Sequence, residues 1–158
     1  MKAKEGVLEQ LNGILRAELT AVHQYLLHAA MTGNWGYERL EHEFRELALE
    51  EVEHSSQLID HILYLEGNPD VGRLDEVSRG ASVEALFKAD LRFEQGDVEA
   101  LRTAIAHCAK VMDFTTRHKL EDMVKDSEEH VDWFETQLRA IEQVGLDNYL
   151  SEQIKKGS

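Results

Sequence analysis

Residues 67–81 read Gly67-Asn68-Pro69-Asp70-Val71-Gly72-Arg73-Leu74-Asp75-Glu76-Val77-Ser78-Arg79-Gly80-Ala81. The segment opens on a helix-stop signal and holds the only proline of the 158 residues. Outside it, a 3.6-residue apolar period predicts four long helices. The first runs from about Gly6 to Met31 and stops at Thr32-Gly33-Asn34-Trp35-Gly36. The second runs from about Tyr37 to Glu66. The third starts near Ser82, an N-cap with Ala85 at its third helical position, and runs to about Met112. The fourth runs from about Asp113 to Val144 and ends at Gly145. Asp147 caps a shorter fifth helix reaching Lys155.

Connection lengths set the topology. The first and third joins are short, so helices one and two are antiparallel, and so are three and four. Fifteen residues join helices two and three. Fully extended they reach roughly 50 Å, against about 45 Å for a helix of ~30 residues. The join can therefore run the length of the bundle and start the third helix parallel to the second. The expectation is an all-α single domain over residues 1–158: a four-helix bundle with one long crossover and a short C-terminal fifth helix.

Composition narrows the functional classes. There are 17 Lys+Arg against 31 Asp+Glu, a net charge of −14, which lacks the basic footprint of a nucleic-acid binder and suits a protein that attracts cations. Hydrophobic residues make up 42%, too many for a disordered acidic chain. No apolar run approaches the ~20 residues needed to span a bilayer. Met1 to Gly6 lacks the apolar core of a signal peptide, so a soluble cytoplasmic protein is expected. Cys108 stands alone, which excludes an intrachain disulfide and any CxxC site.

Each apolar stripe contains polar intruders near mid-helix. In helix one Glu18 stands between Ile14 and Val22, and in helix two Glu51 and His54 stand between Leu47 and Leu58. In helix three Glu94 stands between Leu91 and Val98, and in helix four Ser127 and His130 stand between Met123 and Phe134. All can meet at one level of the bundle. Buried unpartnered carboxylates cost several kcal/mol each, and no Lys or Arg shares these stripes. A metal ion supplies the missing charge. Glu51-x-x-His54 puts both side chains on one helix face, and carboxylate with imidazole suits iron, manganese or zinc. A single i, i+3 Glu–His pair is usually a solvated helix face; intrusions at matched depth on four helices point to a metal site. His23, His28, His42, His61, His107 and His118 read as surface or satisfied core residues, Cys108 as a small core residue, and Trp35 and Trp133 as packing or interface anchors. Tyr25 lies one turn from the site level and reads either as a hydrogen-bond partner of the ligands or as a satisfied core tyrosine. His42, Glu46 and Glu50 share one face of helix two, where they can guide iron.

From Met1 to about Lys155 the chain resembles a bacterioferritin. The resemblance is carried by Glu18-Leu19-Thr20-Ala21 with Gln24-Tyr25, Asn34-Trp35-Gly36, Glu51-Val52-Glu53-His54, Leu65-Glu66-Gly67, Asp90-Leu91 with Glu94, His130-Val131-Asp132-Trp133, and Gly145-Leu146-Asp147-Asn148-Tyr149-Leu150. It implies a ferritin-like hollow shell of 24 subunits that stores Fe(III) mineral. It implies a di-iron ferroxidase centre in each subunit, oxidising Fe(II) with O2 or peroxide. It also implies haem between subunit pairs, held by one methionine from each. Residue by residue, it makes Glu18 and Glu94 terminal ligands, Glu51 a bridge, and His54 and His130 ligands of one iron each.

Two positions leave the family pattern. Ser127 stands where the resemblance calls for a second bridging glutamate, leaving three carboxylates for two Fe(II) ions. Asp126 and Glu128 flank it at about 100° of helical rotation and can enter only through a local bulge. The expectation is that the iron of Glu18, Glu51 and His54 is kept while that of Glu94 and His130 is weakened. Val52 stands where the haem methionine belongs, so no haem is expected in a homo-oligomer. Two functions follow: an iron-storage ferroxidase with an altered centre, or a non-catalytic subunit forming shells alone or mixed with a complete partner subunit. Rubrerythrin would need paired CxxC motifs, and the small DNA-protecting ferritins place their ligands across a subunit interface.

Overall fold

The computed structural model describes residues 1–156, which form five helices and no strand. They are α1 (Val7–Asn34), α2 (Glu38–Tyr64), α3 (Val83–Lys110), α4 (Phe114–Val144) and α5 (Leu146–Gln153). The all-α expectation, with a short C-terminal fifth helix, holds. α1 packs chiefly on α2 and α3 on α4, α1 also meets α3, and α5 lies against α4 and α2.

The crossover lies along α1 and is tied to it at successive turns. Asp70 N donates to Asn12 Oδ1 at 2.9 Å, Asp75 N to Thr20 Oγ1 at 2.9 Å, and Ser78 N to Gln24 Oε1 at 3.0 Å. Further on, His28 Nε2 bonds Ser78 O at 2.8 Å. Chain order along the crossover thus follows chain order along α1, which returns the chain to the far end of the bundle. α3 then starts beside the start of α2, where Phe87 and Phe44 pack with ring centroids 6.1 Å apart.

Several boundaries shift. α1 continues through Gly33 and Asn34 instead of stopping at Met31. A Cβ on Gly33 would fall 1.6 Å from Glu41 Oε2, so this glycine leaves room for the Glu41 carboxylate and does not end α1. The turn is made at Gly36, whose φ of 94° is open to glycine. α2 ends at Tyr64, and α3 ends at Lys110 where Val111 begins a three-residue turn. Ser82 caps α3 as expected, its side chain accepting from Ala85 N at 3.2 Å. Asp147 does not cap α5; that position is Gly145, and Asp147 lies in the first turn, where a carboxylate faces the positive end of the helix.

The core is split in two. Val7, Leu11, Ile14, Leu15, Leu58 and Ile62 with Leu101 and Leu120 form an aliphatic cluster at one end. Tyr25, Phe44, Phe87 and Phe134 lead an aromatic cluster at the other. Between these two clusters in each helix lie the polar residues singled out by the stripes.

Candidate metal centre

The layer between the two clusters contains Glu18, Glu51, His54, Glu94, Ser127 and His130, all buried. Helical periodicity places them there, because each continues the stripe that buries its apolar neighbours. Two compact groups result. Glu18, Glu51 and His54 offer one ligand atom each, all within 4.8 Å of one another, and so do Glu51, Glu94 and His130.

Glu51 belongs to both groups. Its Oε2 lies 3.6 Å from His54 Nδ1 and its Oε1 lies 3.5 Å from His130 Nδ1. Its two oxygens therefore face two different imidazoles, the disposition of a bridging carboxylate. Glu18 Oε2 is 3.3 Å from His54 Nδ1, and Glu94 Oε1 is 3.3 Å from His130 Nδ1. The two sides are equally well assembled around Glu51, so the loss of a carboxylate at Ser127 has not dispersed the Glu94 and His130 side.

Both imidazoles turn Nδ1 inward and Nε2 outward. His54 Nε2 bonds Asp126 Oδ2 at 2.9 Å, and His130 Nε2 bonds Glu50 Oε2 at 2.6 Å. Each acid stands four residues before a histidine, but on the opposite helix from the one it holds. Metal-ligating histidines commonly give their second ring nitrogen to a carboxylate, which fixes ring orientation and raises basicity. Sequence reasoning missed both pairings. Asp126, which by sequence could enter the centre only through a bulge, instead grips His54 from outside an unbroken α4. Glu50, on the same face of α2 as His42 and Glu46, has His130 as its partner. The missing signal was the repeated acid-x-x-x-His spacing, whose partners lie on another helix.

Asp97 was also missed. It is buried, one turn beyond Glu94 on α3, and its Oδ2 accepts a hydrogen bond from Ser127 Oγ at 3.0 Å. The count of three buried carboxylates is thereby corrected to four in this layer: Glu18, Glu51, Glu94 and Asp97. Stripe marking passed from Glu94 to Val98 and skipped Asp97, which follows Gln95 and Gly96 and looks solvated in sequence. Its i, i+3 spacing from Glu94 was the available signal.

Burial works against charge on both histidines, yet neighbouring acids outweigh it. Hydrogen bonds and charge from Glu18 and Asp126 push His54 up to about 9, and those from Glu50 and Glu94 push His130 up to about 10. The surrounding acids thus favour the protonated imidazole at both positions. A metal must displace these protons to bind. Burial pushes the Glu94 carboxyl up despite His130 and Tyr25. Burial, Glu18 and Glu94 hold Asp97 well above the usual carboxylate range. Three oxygens in the layer have no hydrogen-bond donor among the described residues: Glu51 Oε1, Glu94 Oε2 and Asp97 Oδ1. Orphaned buried oxygens of this kind call for a cation, and a hard or borderline divalent ion suits a set of carboxylates and imidazoles.

The remaining candidates are accounted for by packing. Tyr25 donates its hydroxyl to Glu94 Oε1, the hydrogen-bond role weighed for it. His28 bonds Asp90, and His61 bonds Thr116. His107 Nε2 donates to Glu5 O, while His23 and His118 are exposed. Cys108 is buried in the aliphatic cluster, and Trp133 packs edge-on against Phe87 and Phe134. An acidic depression of about 320 Å³, lined by Glu50, Glu53, His54, Asp122, Asp126 and Glu129, opens on the outer side of His54.

A four-helix bundle with a full-length crossover and a mid-bundle layer of glutamates and histidines is a ferritin-like protein. A model of the ferritin-like domain matches residues 8–144. The chain is 39% identical to a bacterial ferritin of Synechocystis, over 98% of this chain and 99% of that one. It is 40% identical to a bacterial ferritin of Pseudomonas aeruginosa, over 98% and 100%. It is 35% identical to a bacterioferritin of Mycolicibacterium paratuberculosis, over 99% and 98%. The chain belongs to the bacterioferritin family of ferritin-like proteins.

Proposed function

We propose that this chain, acting as one ferritin-like unit, is an iron-storage subunit that oxidises Fe(II) at the Glu18, Glu51, His54, Glu94 and His130 centre. Family membership supports the storage role. The observation that carries the oxidative role is Glu51, whose two oxygens face the two histidines and join two ligand groups into one two-ion site. Glu18 and His54 hold one Fe(II), Glu94 and His130 the other, and Glu51 spans both. Two Fe(II) supply two electrons, which with two protons take one O2 to hydrogen peroxide, or one hydrogen peroxide to two waters. Asp126 and Glu50 orient the imidazoles, and the surrounding acidic depression draws cations towards them.

The shell is part of the same proposal: 24 subunits, as a homo-oligomer or mixed with a second bacterioferritin subunit, enclosing Fe(III) mineral in the cytoplasm. Leu49, Val52 and Leu63 share one face of α2 and are exposed in the single chain, as expected of a face that meets another subunit. No helix among the described residues is long and apolar enough to cross a membrane. Val52 offers no donor atom on that face, so the homo-oligomer binds no haem.

The alternative, a non-catalytic shell subunit, rests on Ser127. Aerobic Fe(II) oxidation by the metal-free oligomer, at two Fe(II) per subunit with O2 uptake recorded, separates the two. The catalytic reading expects the native protein to oxidise iron well above the buffer rate. A native protein no faster than buffer, beside a fast Ser127→Glu variant, establishes the structural subunit instead.

A further inference from the structure

We propose that Asp97 is a further metal ligand of this centre, supplied by α3 to the ion on the Glu18 side and held in place by Ser127. The inference rests on the metal-centre reading above and deepens it.

Asp97 is 5% exposed and lies one helical turn beyond Glu94. Ser127, which is 1% exposed, donates to one oxygen, Oδ2, at 3.0 Å. The other oxygen, Oδ1, has no donor among the described residues, although it is buried. The Glu18 carboxyl is within hydrogen-bonding reach of Asp97, and the charges of Glu18 and Glu94 both push the Asp97 carboxyl up. A structural aspartate accepts from Ser127 through Oδ2 and, when protonated, shares a hydrogen bond with the Glu18 carboxyl. When it ionises it becomes a buried carboxylate beside two others, an arrangement that is costly without a cation. Asp97 lies outside the compact group of Glu18, Glu51 and His54; an ion bound beside Glu18 would recruit it as an added ligand in place of the shared proton.

Charge gives the same answer. With neutral imidazoles, three carboxylates leave two divalent ions with excess positive charge in a buried layer, whereas four match it. The serine on α4 and the aspartate on α3 then form one device. Where the resemblance calls for a glutamate from α4, this chain places a shorter carboxylate from α3 and a hydroxyl that orients it. Glu94-x-x-Asp97 repeats the spacing of Glu51-x-x-His54, so both of its side chains face the layer.

Co(II) tests this without turnover. It is titrated into the metal-free oligomer and followed by visible absorption. The native protein is expected to bind two Co(II) per subunit. Asp97→Asn, nearly isosteric, is expected to weaken one of the two by about tenfold or more and to alter its absorption band. Ser127→Ala keeps the carboxylate but frees it, and is expected to weaken the same ion by less. Asp97→Asn combined with Ser127→Glu is expected to regain two tight sites, because the carboxylate total is restored. Asp97→Asn that binds two Co(II) with native affinity and spectrum overturns the role of Asp97 while leaving the centre intact. A native protein that binds no Co(II), or binding that survives Glu51→Gln, overturns the centre itself. A crystal structure of the native protein soaked in Zn(II) gives an answer independent of any variant's folding. Asp97 Oδ1 within about 2.0–2.2 Å of a zinc is the expected result; an Asp97 that touches neither ion overturns the proposal.

Discussion

The α1–α2 hairpin brings Glu18 from one helix and Glu51 with His54 from the other. The α3–α4 hairpin brings Glu94 and Asp97 from one helix and only His130 from the other, with Ser127 where the first hairpin has Glu51. At the position matching Asp97, three residues after Glu18, α1 carries Ala21. The acid absent from α4 therefore has a counterpart on α3, in the same layer. The electrostatics of such a layer depend on the number of charges and where their atoms lie. They do not depend on which backbone delivers them, because a buried layer is balanced as a whole. The outer partners keep the symmetry that the inner ones break: Glu50 and Asp126 each stand four residues before a histidine and each hold the other one.

The comparison breaks most completely at Glu51, which serves both hairpins. Glu51→Gln keeps the shape and removes the charge, and Fe(II) oxidation by the oligomer is expected to fall to the rate in buffer. A residual fast rate would mean that the two halves do not share one bridge. The outer pair gives a finer test. Asp126→Asn and Glu50→Gln are each expected to lower Co(II) affinity by about 10–100-fold, at the His54 and His130 ions respectively. Equal losses show two equivalent sides; a loss confined to one variant shows that only one side holds its ion through an oriented imidazole.

The smallest difference is at the helix starts. α1 and α2 begin without a side-chain cap, whereas Ser82 caps α3 and Asp113 caps α4, accepting from Thr116 N. Ser82→Ala is expected to cost about 1 kcal/mol in denaturant unfolding of the metal-free protein. A cost near zero would show that packing against Phe44 and Phe134 sets the start of α3.

Much of this was legible in order along the chain. Pro69 and its surroundings marked the crossover, since one long join among short ones leaves few topologies. Glu18, Glu51, His54, Glu94 and His130 stood out because a charged residue in an apolar stripe breaks a pattern with a physical cost. The helix ends were less legible. Gly33 looked like a stop, but its role is to admit Glu41, and no periodicity reports a neighbour from another helix.

Read along the chain alone, stripe periodicity and join length place the helices, the crossover, the depth of the polar layer and six of its members, because both are local quantities. That Glu51 faces both histidines, that Asp126 holds His54 and Glu50 holds His130, and that Asp97 meets Ser127 follow from the packed bundle. Those are relations between side chains on different helices. They depend on how far each helix is turned about its axis and slid along its neighbour, and only the packing of the whole bundle fixes that.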